Sequence, residues 1–360
     1  MRVHQVCARL QYGDAITSHV LRIHQELIKW GMESHVYAHE TDKTCAPYNE
    51  GEPVYARKFS RNKEDLLLYH YSVFNPNHKL YLAARNKKVL IYHNITPPGF
   101  FEEFNPAIAE VCRKGLELLP RLKNCDLALG DSEFNRLELV EAGFKDSRSG
   151  VLPIFIDWPR YEGLYNRELL ERLSDGRVNL LFVGRLVPNK RFEDLIRLFA
   201  VYKQKVNARS RLIIPGSTWS FEYNNMLVSL IRRLGLADSV EMPGQVWGVP
   251  DTDLLAYFRA ATAFVCTSEH EGFCVPLVEA MRFDLPIMAF DCTAIPYTLA
   301  GAGVLFKSKE LPVLAETLEC LVSDETFRTT MVERGRARMV DFSEERLSHT
   351  LMDYIAPFLT

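Results

Sequence analysis

Apolar positions along the chain fall into short runs, separated by glycine-bearing polar turns and by longer stretches with helical spacing. "VHQVC" near the start reads as a strand and "QYGDAIT" after it as a polar loop. From Ser18 onward, Val20, Ile23, Leu27 and Ile28 keep helical spacing up to Gly31, a helix stop, and "SHVYAH" supplies a second strand. Strand, helix and strand in that order predict a parallel sheet with a right-handed crossover. Further strands are expected at "KVLIYH" (88–93) and "DLALG" (126–130), with an amphipathic helix from Pro106 to about Lys123 between them.

Residues 157–177, "DWPRYEGLYNRELLERLSDGR", are charged and break this alternation, so they read as a linker. The rhythm restarts with "NLLFVG", "RLIIPG", "SVEMPG", "AFVCTS" and "PIMAFD", most of them followed by a helical pattern. Two successive α/β domains are predicted, 1–160 and 161–343, each with a parallel sheet. Ligands are expected at the C-terminal strand ends and in the crevice between the domains. A last helix, 344–359, has no strand partner and is free to pack back on the first domain.

Composition narrows the function classes. A length of 360 residues exceeds one ordinary core, and 47% hydrophobic with 25% charged residues is the balance of a soluble globular protein. A net charge of -3 argues against nucleic acid as a partner. The N-terminus lacks an apolar leader core, and no run reaches about 18 apolar residues, so a cytoplasmic protein is expected. Arg113, Lys114, Arg121 and Lys123 crowd one helical region. They form either a solvated face or a peripheral contact with anionic lipid at the inner face of a membrane. The eight cysteines show no paired spacing and read as reduced core residues. The ten histidines show no H-E-x-x-H, so no structural metal is expected. A P-loop, a G-x-G-x-x-G after the first strand and a G-x-S-x-G elbow are all missing, which removes the commonest nucleotide and hydrolase classes.

Four stretches carry candidate chemistry. In "TSEHEGFCVPLVEAM" (267–281), Glu271 and Glu279 stand eight apart around a Gly-Phe-Cys turn. One reading is structural: Pro276 opens a helix, Glu279 sits in its first turn where the macrodipole favours an anion, and Glu271 is a solvated loop residue. The other is a site. Backbone N–H groups of Gly272, Phe273 and Cys274 would face a diphosphate, and the carboxylates would hold hydroxyls. "LLFVGRLVPNKRFEDL" places Arg185 and Lys190 on one strand-end loop, either as surface cations or as partners of a leaving diphosphate. "KVLIYHNITPPGF" ends a strand at His93, with Thr96 close behind; His93 is either a satisfied core group or a partner for a sugar hydroxyl. In "GDSEFNRLEL", Ser132 reads as a helix N-cap.

Taken together, "SEHEGFCVPLVEAM", "FVGRLVPNKRFEDLI" and "YHNITPP" resemble the retaining family 4 glycosyltransferases of the GT-B fold. The likeness runs from the "YGDAI" loop to "AGAGVLF" (300–306), and the subgroup resembled builds bacterial surface polysaccharides and includes mannosyltransferases. The resemblance implies two Rossmann-like domains facing across a cleft, the first for a glycan or lipid-linked glycan acceptor, the second for a nucleoside diphosphate sugar. It implies that Glu279 binds donor ribose, and that Glu271 lies near the transferred sugar with the amides of Phe273 and Cys274. Arg185 and Lys190 would hold the diphosphate, His93 would contact the donor sugar, and Gly13 would approach the phosphates. No cofactor is expected beyond the sugar nucleotide, and, on the reading that the chain holds no Asp-x-Asp, no divalent ion either. The chain departs from the pattern at Gly13-Asp14, where many relatives have paired glycines, which leaves Asp14 for the acceptor. It departs again at Cys274, where glycine is frequent. Two rivals stand beside this reading: a GT-B sugar-nucleotide epimerase, and a sugar-nucleotide-binding partner subunit without turnover.

Overall fold

The computed structural model describes residues 2–246 and 248–359, and the chain divides into two compact units. The first holds the residues up to 102, then 106–157, and those from 341 onward; the second holds 103–105 and 158–340.

The first unit is built on six parallel strands: β1 (Arg2–Leu10), β2 (Glu33–Thr41), β3 (Leu66–Tyr71), β4 (Lys87–Tyr92), β5 (Leu127–Gly130) and β6 (Ser149–Val151). Their order is β2-β1-β3-β4-β5-β6. The chain therefore leaves β1 to one side for β2 and returns to its other side for β3, which makes the β1/β3 boundary the switch point of the sheet. The sequence pattern missed β3 and β6. All six residues of "LLLYHY" are buried, so no polar alternation marks the strand, and β6 spans only three residues. The helix Ala15–Lys29 starts three residues earlier than its apolar spacing suggests, because the Asp14 carboxylate caps it by accepting from the Ile16 and Thr17 amides, each at 3.1 Å.

The C-terminal helix Glu344–Ile355 belongs to this unit. Leu347, Leu351 and Ile355 join Val3, Ile23, Leu27, Leu66 and Val89 in one buried cluster. The Tyr354 hydroxyl accepts from the Val151 amide at 3.1 Å, and a Cβ at Gly150 would lie 2.3 Å from that hydroxyl oxygen, so glycine is required there. Glu344 pairs with Arg22 and Lys29, at 2.5 and 2.6 Å, fixing the start of the helix.

In the second unit the strands are β7 (Val178–Leu181), β8 (Ser210–Ile213), β9 (Val240–Glu241), β10 (Ala263–Cys266), β11 (Ile287–Phe290) and β12 (Val304–Phe306). They are all parallel, in the order β12-β11-β10-β7-β8-β9. Its switch point lies between β7 and β10. Residues 157–177 are not a plain linker. They hold a single turn, Trp158–Tyr161, and a helix, Arg167–Leu173, capped by Asn166 and burying Leu173. The charges that disguised this segment have partners: Arg160 with Asp251 at 2.5 Å and Arg172 with Glu241 at 2.8 Å.

Leu351→Ala removes a fully buried side chain from the first unit's core. A loss of roughly 2–5 kcal/mol is expected, read as a lowered urea midpoint. An unchanged midpoint would mean that the C-terminal helix contributes nothing to that core.

Candidate functional site

At the second unit's switch point, the loops after β7 and β10 are stitched to each other. After β7 the chain passes Gly184, where a Cβ would come within 2.9 Å of the Lys190 Cε. At Gly216, after β8, a Cβ would sit 1.8 Å from the Gly184 carbonyl oxygen. Only glycine lets these backbones and the lysine arm pass so closely. The Asn189 side-chain amide donates to the His270 carbonyl at 2.9 Å, and the Asn189 carbonyl accepts from the Glu269 amide at 2.8 Å. The Thr267 hydroxyl reaches the carbonyls of Lys190 and Arg191, both at 3.0 Å.

This stitching aims Lys190 at Glu271. The ammonium lies 2.5 Å from Glu271 Oε1, and the Ser268 hydroxyl donates to the same oxygen at 2.7 Å. Thr293 holds the backbone of Glu271, accepting from its amide and donating to its carbonyl, each at 2.9 Å. Both side chains are almost buried, at 12% and 13% exposure. Burial works against the lysine charge, but Glu271 more than offsets it and holds the Lys190 pKa above its ordinary value. Burial pushes the neighbouring His270 down to about 4, so it is neutral and adds no charge to the pair. Arg185, on the same loop, is exposed, and among the described residues its guanidinium has no ion-pair partner.

Gly272, Phe273 and Cys274 lead into the helix Val275–Arg282. Thr298 anchors the turn by donating its hydroxyl to the Phe273 carbonyl at 2.5 Å. Cys274 is left-handed, with φ 68°, a conformation that favours glycine. A side chain there costs roughly 1–2 kcal/mol. Glu279 is not in the first helical turn, so the macrodipole does not account for it. It is buried, and the Tyr161 hydroxyl donates to its carboxylate. Burial raises its pKa, while Tyr161 and then Arg160 oppose the rise. Tyr161 lay hidden in the segment read as a linker, and Ser268 and Thr293 carry no spacing signal of their own.

Gly13, His93 and Thr96 belong to the first unit. Gly13 adopts φ 78° in the turn between β1 and its helix, and the capping role of Asp14 leaves that carboxylate engaged within its own chain. Thr96 is half-buried. The His93 imidazole is wholly buried at the end of β4: Nδ1 lies 2.9 Å from Asp131 and Nε2 2.9 Å from His70 Nδ1. His70 was missed because β3 was missed. Asp131 stood in the open, as a polar residue directly after a predicted strand. Ser132 is the N-cap expected of it, accepting from the Asn135 amide at 3.3 Å.

The chain does contain one Asp-x-Asp triplet, Asp251-Thr252-Asp253, so the reading without an acidic motif is corrected. Its carboxylates anchor the 158–166 segment: Asp251 takes Arg160, and Asp253 accepts from the Asn166 side chain at 2.9 Å. On the helix Pro106–Leu118, Arg113 pairs with Glu102 and Glu110, and Lys114 with Glu110, so acids on the spot compensate those cations. Among the described residues no helix is long and apolar enough to cross a membrane.

Comparison with known proteins bears on the whole arrangement. Residues 171–338 match the family described as Glycosyl transferases group 1. The O-antigen chain mannosyltransferase B of Escherichia coli is 26% identical over 166 residues, 46% of this chain and 42% of that protein. The D-inositol 3-phosphate glycosyltransferase of Salinispora arenicola (strain CNS-205) is 29% identical over 231 residues, 62% of this chain and 50% of that protein. The chain thus spans about half the length of the curated relatives it matches. Among solved structures, Anabaena HepE in complex with UDP and glucose superposes over 99% of this chain and 100% of its own, with a TM-score of 0.76 at 17% identity. That likeness shows the fold. Over just under half of its length the chain thus resembles the group 1 glycosyltransferases, and its two parallel-sheet units have the GT-B fold.

Proposed function

We propose that this chain is a retaining, metal-independent glycosyltransferase. It moves a hexose from a nucleoside diphosphate sugar to a hydroxyl of a glycan or lipid-linked glycan during bacterial surface-polysaccharide assembly. The observation that carries the proposal is the Lys190–Glu271 pair at the switch point of the group 1 domain, with the exposed Arg185 on the same loop. Mannose is the first sugar to try, because the relatives include mannosyltransferases of O-antigen synthesis.

The chemistry follows from charge. A lysine held by a carboxylate is a cation already extracted from water and aimed. When a diphosphate arrives, Lys190 exchanges Glu271 for a phosphate oxygen, and Glu271 is left to accept from hydroxyls of the sugar in transit. Arg185, with no ion-pair partner among the described residues, adds a second positive charge to the leaving group. With the diphosphate charge offset by side chains and by the start of the helix Val275–Arg282, no divalent ion is needed. Catalysis then rests on placing the acceptor oxygen beside the leaving phosphate, which takes the proton. Glu279, buried and held by Tyr161, binds the ribose. The first unit binds the acceptor.

Transfer from an α-linked sugar nucleotide, followed by proton NMR of the first product, tests the stereochemistry. An α anomer in the presence of excess EDTA is expected. A β anomer, or activity abolished by EDTA and restored by a divalent ion, would contradict it.

Glu279 supports a second test with two readouts. Glu279→Gln should raise the donor KM with little change in kcat, because ribose contacts are the same in ground and transition states. The same variant isolates a stability effect. The raised pKa of folded Glu279 favours the folded state below the ordinary carboxylate range, and that contribution is lost as pH rises through the folded pKa. The melting temperature of the variant minus that of wild type should therefore increase as pH rises from about 4 toward neutrality. A flat difference would mean that the carboxylate is not penalised by burial.

A further inference from the structure

His19, His70 and His93 bring three ring nitrogens within 4.8 Å of one another inside the first unit, a spacing that suggests a metal centre. Hydrogen bonding argues otherwise. The Phe155 amide donates to His19 Nδ1 at 2.9 Å, and a backbone amide can only donate. The proton of neutral His19 must then sit on Nε2, the one nitrogen left to face an ion. His19 is therefore not a ligand, and burial, with His93 second, lowers its pKa and keeps it neutral.

The other two histidines carry a proton count that no single residue reveals. The Gln5 side-chain nitrogen donates to the Val20 carbonyl at 3.1 Å, which fixes the amide so that Oε1 faces His70 Nε2 at 3.0 Å. At the far end, both Asp131 oxygens lie within 3.0 Å of His93 Nδ1. The chain Gln5–His70–His93–Asp131 thus ends in an acceptor at each side. Two neutral imidazoles donating outward would leave bare lone pairs facing each other across the 2.9 Å between His70 Nδ1 and His93 Nε2. The rings are coplanar within 2°, with centroids 5.2 Å apart, as an in-plane N–H···N bond requires. A third proton must occupy that contact.

We propose that Gln5, His70, His93 and Asp131 form a closed chain of three hydrogen bonds sharing three protons at zero net charge, in which Asp131 and His70 are positioning residues for His93. Burial, with His93 and then His19, keeps His70 neutral with its proton on Nε2, so the proton between the rings belongs to His93 Nε2, and the proton on the other contact is shared between His93 Nδ1 and Asp131. Burial favours the Asp131 side of that contact, while the imidazole opposes it. Among the described residues, the titratable groups facing the histidine pair are Asp131, after β5, and His19, from the helix Ala15–Lys29; Gln5 and Phe155 carry no charge. Removing a proton would leave a buried negative charge and two opposed lone pairs, and adding one would leave a buried cation without an acceptor, so the chain resists titration in both directions.

The consequence deepens the proposed function and rests on it in one respect, the assignment of the 93–96 segment to the donor sugar. Both His93 nitrogens face inward, so His93 acts by holding the strand end from which Asn94 and Thr96 follow. Asn94 is left-handed, with φ 69°, and its side chain is tied to Asn135 at 3.1 Å and Glu138 at 2.5 Å. Asparagine tolerates that conformation, and these two bonds hold it in place.

Histidine-selective ¹⁵N NMR of the full chain from pH 6 to 9 tests the proton count without reference to transferase activity. In wild type, His93 Nε2 should carry the proton. Asp131→Asn offers an amide N–H to Nδ1, so it should preserve the Nε2 proton. His70→Phe should move the proton to Nδ1. A wild-type His93 that lacks the Nε2 proton at neutral pH would overturn the proposal, and it would do so even if the His70 variant failed to fold. In both cases the transferase reading would stand.

Discussion

The ion pair between Lys190 and Glu271 is the interaction on which the candidate site depends. Taking an ammonium and a carboxylate out of water is costly, and a pair of this kind seldom returns its desolvation cost as stability. Its value lies in geometry. The lysine can reach the switch point only because Gly184 leaves room for its arm and Gly216 lets two backbone segments nearly touch. The glutamate is aimed by Ser268 and by the reciprocal bonds of Thr293. Each of these details makes sense as preparation for a doubly charged ligand, which would meet a cation already positioned.

The first unit handles buried polarity differently. Along the line from Gln5 to Asp131 the charges are balanced by shared protons. Asp131, His93 and His70 join the ends of β5, β4 and β3 side by side, so the hydrogen-bonded line crosses three neighbouring strands of the sheet. One unit thus keeps a pair that a ligand can open, and the other keeps a chain that resists opening. The contrast follows from exposure: the Lys190–Glu271 pair touches solvent, whereas the His93 imidazole does not.

Much of this was legible in the sequence. The βα rhythm, the parallel sheets and the strand-end placement of His93, Lys190 and Glu271 follow from apolar spacing and turn residues. The omissions have physical causes. β3 is buried on both faces and shows no alternation, and β6 and β12 span three residues each. The helix Arg167–Leu173 was masked by charges whose partners, such as Glu241, lie far along the chain. Glu279 looked like a helix-dipole anion because sequence does not show which helical turn a residue occupies until the start is known. Lys190 and Glu271 are 81 residues apart, and only the packing of β7 beside β10 shows that they meet. Tyr161 became visible as the partner of Glu279 once its segment was seen to fold into the second unit.

The most direct measurement is calorimetric titration of a nucleoside diphosphate into wild type, Lys190→Met, Glu271→Gln and the double variant. If Glu271 holds Lys190 ready and yields it to phosphate, Lys190→Met should weaken binding by tenfold or more, in the range of about 1.5–3 kcal/mol for a charged hydrogen bond. Glu271→Gln should bind at least as tightly as wild type, because it removes the competitor for the ammonium. The double variant should match Lys190→Met, since the effect of Glu271 has no route once the lysine is gone. Independent, additive effects of the two substitutions, or native affinity in Lys190→Met, would contradict the account.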